Sequence, residues 1–259
     1  VAALGLRPGE AAPVAGPVLT LAERDRRWSG LRAIMLRRGI DAIVVGSFQG
    51  RERLESYLID DFFDGVVVLP LEGEVTVLAF GASRVSRVFE SARRGIEPWV
   101  TDYRIAAGGA NVARVIEEKR LAGGVIGVVG FGPTAPGEAE GLIPLGFHRS
   151  LVAGLPRAKI EDFTQDLTDF MLVKGPEEIA CLRHAASISE AACEVMRAFS
   201  RPGVSEALVY AEMLREIHRR GCDVRYPFLS LQSGPDNIAW GVPRWSLRAE
   251  PPRLLARGD

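Results

Sequence analysis

The sequence predicts an α/β domain followed by the helical opening of a second domain. Short apolar, β-branched runs at 41–46, 66–70, 75–79 and 125–129 alternate with amphipathic stretches, the pattern of a sheet covered by helices. The chain turns polar and acidic over 161–170, which places a domain boundary near 160–165. Beyond it, Gly175-Pro176-Glu177-Glu178 reads as the start of a long helix. Proline fits the first helical position, where a missing N–H costs nothing. Acidic residues suit the first turn, where the helix dipole favours negative charge.

Taken in order, residues 1–20 are rich in Ala, Pro and Gly and are expected to form a flexible tail. Arg7 and Glu10 interrupt any apolar run there, so the segment does not read as a signal peptide. A helix is predicted over 21–38, with Trp28, Leu31, Met35 and Leu36 on its inner side and Gly39 ending it. The runs 66–70 and 75–79 flank Leu71-Glu-Gly73-Glu and predict a hairpin with glycine in its turn. Helices are predicted over 83–94 and 111–120, a brief strand over 96–100, and a buried strand over 125–129. A short connecting helix with an acidic face is expected around 161–170, and His148 is expected in a loop. In the long helix Ile179, Leu182, Ala186, Cys193 and Met196 recur at three- and four-residue steps and predict its buried face. Ser205 is placed to cap a second helix that runs to about Arg220 and ends at Gly221.

Composition narrows the function. The 259 residues are 47% hydrophobic and 25% charged, with a net charge of −1, so no basic field points to nucleic acid or an anionic membrane. The arginines of the first helix suit an amphipathic helix feeding a buried strand. The three cysteines, Cys181, Cys193 and Cys222, lack C-x-x-C spacing and read as buried thiols of a reducing compartment, which implies a cytoplasmic protein. No apolar run approaches the roughly 18 residues of a membrane span.

Several motifs read more simply as structure than as chemistry. Gly130-Phe-Gly132-Pro-Thr-Ala135 matches G-x-G-x-x-A. Its prolines, its place after a later strand and the lack of a ribose-binding acid favour an ordinary strand-to-helix loop over a dinucleotide site. Asp60, Asp61 and Asp64 read as a solvated acidic loop. His184 and His218 read as surface histidines without a second ligand at metal spacing. Glu177 and Glu178 do not face each other on a helix and are no acid/base pair.

The stretch Val173-Lys174-Gly175-Pro176-Glu177-Glu178-Ile179, with Leu182-Arg183 and Ala185, resembles the (V/I)-K-S-P-x-E-I-x-x-L-R-x-A opening of the pita-bread metallohydrolases, the group of Xaa-Pro aminopeptidase, prolidase and creatinase. Arg53, Tyr57 and Leu58 resemble the R-x-x-x-Y-L element of that family's N-terminal domain, which implies a helix over 53–58. Arg201-Pro-Gly-Val-Ser-Glu206 resembles its R-P-G-V-T-E turn. The segment from Tyr226 through Ser233-Gly234-Pro235-Asp236-Asn237 resembles its strand and S-G-x-N loop, and Pro252-Arg-Leu-Leu-Ala-Arg-Gly258-Asp259 its P…L-x-x-G-D. The resemblance implies a creatinase/prolidase-like N-terminal α/β domain over 21–165, after the tail of 1–20. The first part of an α+β pita-bread catalytic domain would follow over 166–259.

It further implies a homodimeric hydrolase of small peptides that uses two divalent ions (Mn, Zn, Co or Fe) to activate a bridging water. The family's ligands, two aspartates, a histidine and two glutamates, all follow the Gly-Asp that stands here as Gly258-Asp259. The chain begins with Val1 and stops in mid-pattern, so it reads as a fragment. No catalytic residue or metal ligand is expected in it, and the chain as given is expected to be inactive and to hold no metal. The resemblance makes Tyr226, Asn237, Trp240 and Arg244 substrate-pocket residues. Peptidases of the group carry His-Gly after S-G-x-N, and, allowing a one-residue gap, Trp240-Gly241 stands there instead. Indole donates one hydrogen bond and shuttles no proton. Two further readings follow. One is a non-peptidase member, a hydrolase or lyase acting on a small, cationic molecule, with Trp240 and Trp245 as an apolar or cation-binding wall, against the alternative that Trp240 packs its loop onto the domain. The other is a metal-free pseudoenzyme or binding scaffold.

Overall fold

The computed structural model describes residues 16–46, 53–59, 61, 65–133, 141–224, 231, 233–234 and 251–259, apart from the Arg84 side chain. The chain divides into two compact units, Leu19–Gly175, and Pro176–Asp259 together with Val1–Val18.

In the first unit, α1 (Leu21–Arg38) begins where the Thr20 hydroxyl accepts the Ala22 N–H and ends at Gly39 in the left-handed region. Its inner stripe is Glu23, Arg27, Leu31 and Met35, four residues apart and all buried. The apolar half of that stripe was legible, but Leu36 stands outside it, 70% exposed. The ionic half was not legible. Arg27 donates to Glu23 Oε1 at 2.8 Å and to the Tyr57 carbonyl at 2.8 Å, and its guanidinium lies 4.0 Å from the Tyr57 ring centroid. Arg26 grips Glu23 with two bonds of 2.8 and 2.7 Å. Arg32 donates to the carbonyls of Pro70 and Gly73, holding the hairpin turn. The arginines of this helix therefore act within the fold.

The sheet contains β1 (Ala42–Val45), β2 (Gly65–Pro70), β3 (Thr76–Ala79), β4 (Asp102–Ile105), β5 (Val125–Val129) and β6 (Lys159–Asp162). Their order is β4-β3-β2-β1-β5-β6. β1–β2 and β2–β3 are antiparallel, and the other three pairs are parallel. Alternate residues serve two cores, as the strand period requires. Ile43, Val45, Val67 and Leu69 face Leu31 and Met35 of α1 and Leu167 of α6 (Thr164–Leu172). Ala42, Val44, Val66 and Val68 face Val112 and Ile116 of α4 (Gly109–Glu118) and Leu151 of α5 (Leu145–Gly154). Helices on both faces explain the unbroken apolar runs of β1 and β2. The α4–α5 crossing is close: a Cβ on Gly109 would lie 2.2 Å from the Phe147 carbonyl oxygen. α2 (Ser56–Ile59) and α3 (Ala82–Arg93) complete the unit.

Several expectations are corrected. The brief strand is β4, and 96–100 is not a strand. Pro98 cannot donate to a ladder, while Trp99 and Val100 bury as single residues. His148 lies in α5, its ring edge-on to Phe131 with centroids 5.4 Å apart. Residues 159–162 form the edge strand β6, so the acidic helix starts later, at Thr164. The first compact unit runs on through α6 to Gly175, with Phe163 and Leu167 in its core.

The Gly130 turn is tied inward. Buried Thr164 accepts the N–H of Gly130 at 2.9 Å and of Gly132 at 3.5 Å, and its hydroxyl donates to Asp162 at 2.5 Å. Two of the glycine amides that a phosphate would need already have a partner. Asp61 of the acidic loop faces Arg87 at 3.5 Å; Asp60, Asp64 and Ala135 lie outside the described residues.

Two measurements test this unit. Hydrogen bonds from Arg26 outweigh burial and, with those from Arg27, lower the Glu23 pKa from 4.5 to about 2. A carboxylate depressed on folding stabilises the fold above its unfolded pKa and loses that contribution as pH falls from about 4.5 through about 2. Glu23→Gln should cost about 3 kcal/mol at neutral pH by removing the carboxylate that pairs with the buried Arg27 guanidinium. Urea midpoints across that window should fall less steeply in the variant. Thr164→Val should cost about 2 kcal/mol in the same assay, since the Gly130 N–H loses its acceptor.

Candidate functional site

The second unit is built on α7 (Pro176–Phe199) and α8 (Glu206–Arg219). α7 starts at Pro176 with Glu177 and Glu178 in its first turn, as expected, and spans 24 residues. Its buried face differs from the predicted one. Ile188 and Ala192 are buried against Val209, Met213 and Ile217 of α8, with Val195 and Met196 packed alongside. Ile179, Leu182, Ala186 and Cys193 are exposed. The helix buries only its C-terminal half against α8, and Cys193 falls one position, about 100°, off that contact line. The cysteines are correspondingly not buried: Cys181 and Cys222 are intermediate, Cys193 is exposed, and none of the three forms a disulfide among the described residues. His218 is exposed, with Nδ1 3.1 Å from the Cys222 carbonyl, and His184 is partly covered, its ring beside Gly16.

The Arg201–Val204 turn and the Ser205 cap lead into α8, where the Ser205 hydroxyl accepts the Ala207 N–H at 3.3 Å. The segment 253–255 is stitched to this turn. Gly203 N–H donates to the Leu255 carbonyl, Leu255 N–H to Val204, and Glu206 N–H to Arg253, at 2.8, 2.8 and 3.0 Å. Beside this strip lies an open cavity of about 1120 Å³. Met196, Val209, Leu231 and Leu255 supply apolar walls, and Glu206, Ser233, Arg253 and Asp259 a polar one.

That polar wall is one chain of contacts. Ser233 Oγ donates to Glu206 Oε2 at 2.8 Å and accepts from Arg253 Nη1 at 3.1 Å. Arg253 forks onto Asp259 with bonds of 2.5 and 2.9 Å, and Asp259 also accepts the Ala256 N–H at 2.7 Å. Arg253, and then the Ala256 N–H, hold the Asp259 carboxyl below its ordinary pKa. Glu206 is 7% exposed. Gly234 sits at φ +95° against the guanidinium, where a Cβ would come within 2.8 Å of Arg253 Cζ. A side chain there would meet both a strained backbone and the arginine.

Sequence reading placed Ser233, Gly234, Glu206 and Asp259 in motifs but gave them no shared role, and Arg253 was missed as a contributor. The predicted pocket residues Tyr226, Asn237, Trp240 and Arg244 lie outside the described residues. Among the described residues no group of three or more His, Cys, Asp and Glu side chains is placed to hold a metal ion. They do not supply a donor set for the two divalent ions the resemblance implies, so no chemical step is routed through such ions. Among the described residues no helix is long and apolar enough to cross a membrane.

No protein-family model matches the chain, and no curated protein sequence does. Solved structures do. The chain resembles the Xaa-Pro dipeptidase from Bacillus anthracis with a TM-score of 0.55 and 20% identity, covering 78% of this chain and 50% of that one. It resembles the X-Pro aminopeptidase from Thermotoga maritima MSB8 with a TM-score of 0.57 and 18% identity, covering 76% and 50%. For the dipeptidase PepE from Mycobacterium ulcerans the values are 0.52 and 20%, covering 78% and 51%. The chain thus has the fold of the part of these structures that it covers, and it spans about half of their length.

Proposed function

We propose that the chain is part of a metal-dependent, pita-bread hydrolase of the Xaa-Pro peptidase kind, acting on small peptides. The observation that carries this reading is the likeness to Xaa-Pro peptidase structures over about three quarters of the chain. The R-P-G-V-S-E turn, the S-G-P-D-N stretch that resembles S-G-x-N, and the closing G-D support it from the sequence. In this reading 21–165 is the N-terminal domain and 166–259 opens the catalytic domain, and the protein works in the cytoplasm as a homodimer. Tyr226, Asn237, Trp240 and Arg244 line the substrate pocket. Two divalent ions, when bound by the complete site, supply an activated water. Within this chain the contribution is substrate binding and orientation.

Trp240 favours a second reading of the chemistry. It stands where the resemblance places His-Gly, and its indole offers bulk, a π face and one N–H donor. A member of this kind would prefer a small, cationic substrate held by cation–π contact. The intact, metal-loaded protein assayed on Xaa-Pro peptides decides between the two. We expect slow cleavage by the unmodified protein and a rate raised about a hundredfold or more in Trp240→His, the usual worth of a positioned acid or base. Efficient cleavage by the unmodified protein, or no change in the variant, would remove Trp240 from the pocket.

A further inference from the structure

We propose that Arg253 is a positioning residue that fixes the Ser233-Gly234 turn against the Gly258-Asp259 turn and thereby sets the substrate affinity of the site. The proposal rests on the peptidase reading, in which the S-G segment belongs to substrate binding and the G-D segment leads toward the metal ligands.

The geometry points to one guanidinium serving two segments that are distant in sequence. Arg253 Nη1 is shared between Ser233 Oγ at 3.1 Å and Asp259 Oδ2 at 2.5 Å, while Nη2 reaches Asp259 Oδ1 at 2.9 Å. The planar fork fixes the direction of both partners, which a lysine ammonium would not. Gly234 packs onto the same guanidinium at positive φ, so the turn follows the arginine in both distance and backbone angle. Ser233 passes the constraint to α8, because its hydroxyl can donate to only one acceptor and gives that bond to Glu206. Glu206 is itself anchored by its N–H on the Arg253 carbonyl and lies almost wholly out of solvent. The result is a closed circuit from the Arg253 backbone through Glu206 and Ser233 to the Arg253 side chain, with Asp259 as its outward arm. Hydrogen bonds linked in this way strengthen one another and favour a single arrangement of the groups they join.

A purely structural ion pair would affect stability alone. A positioning role predicts a split between binding and turnover. The test uses the full-length, metal-loaded protein with Arg253→Met, Arg253→Lys and Ser233→Ala. Deuterium exchange is followed in peptides covering 231–234 and 256–259, with α1 as control, and KM and kcat are measured on Ala-Pro peptides. In Arg253→Met both segments should exchange about tenfold faster while α1 is unchanged, and KM should rise about tenfold with kcat within about threefold. Arg253→Lys should fall between parent and Arg253→Met. Ser233→Ala, the least disruptive change, should loosen 231–234 but leave 256–259 protected. Unchanged exchange in both segments would overturn the circuit whatever the activity. Faster exchange with a parental KM would overturn its role in substrate affinity. A parent protein that neither binds nor cleaves Ala-Pro would overturn the peptidase reading and the affinity claim with it, while the exchange arm would still decide whether Arg253 holds the two turns.

Discussion

The first unit depends on the complete burial of β1. All four of its residues are inaccessible, and they are hydrogen-bonded to β2 on one side and to β5 on the other. A strand in that position has no polar face, so the chain must supply helices above and below the sheet. Asp41, at its threshold, joins the neighbours. Its carbonyl accepts the Leu71 N–H from the hairpin return, its N–H donates to the Val125 carbonyl, and its carboxylate accepts the Val125 N–H at 2.7 Å. One residue thus sets where three strands begin or end, and both cores follow from that register.

This explains which parts of the fold were legible in the sequence. The central strands and α1, α7 and α8 announce themselves through apolar periodicity and end signals, because burial imposes both. The elements that were misread sit where burial is weak. β4 and β6 are edge strands whose alternation is hidden by Asp102 and Arg104 and by Lys159 and Glu161. α5 opens with Leu145 and Gly146 after proline and lacks a side-chain cap. The ionic stripe Glu23–Arg27 was not legible, because charge in a sequence carries no record of the aromatic rings that will cover it. The predicted face of α7 failed for a related reason: periodicity marks an apolar stripe but does not say along which half of the helix a partner will lie.

The candidate site was legible as motifs and illegible as an arrangement. Ser233, Gly234, Glu206 and Asp259 could be picked out singly, whereas the bonds that unite them connect residues 20 and 27 positions apart. Arg253 looks in the sequence like one more surface cation. Its importance lies in having three partners arranged around one plane, and only the folded chain shows it.

The charged composition of the two outer strands has a consequence for the behaviour of the protein in a crowded solution. An open sheet ends in rows of unpaired backbone groups that invite addition of a foreign strand. Here both ends are short, four residues each. Arg104 is locked to Asp102 at 3.0 Å and to Glu118, and Lys159 lies 2.6 Å from Glu161. A chain approaching either rim to extend the sheet would have to strip water from these ion pairs before gaining a single ladder bond. The side chains that conceal β4 and β6 from a reader of the sequence also guard the sheet against its own propagation into aggregates.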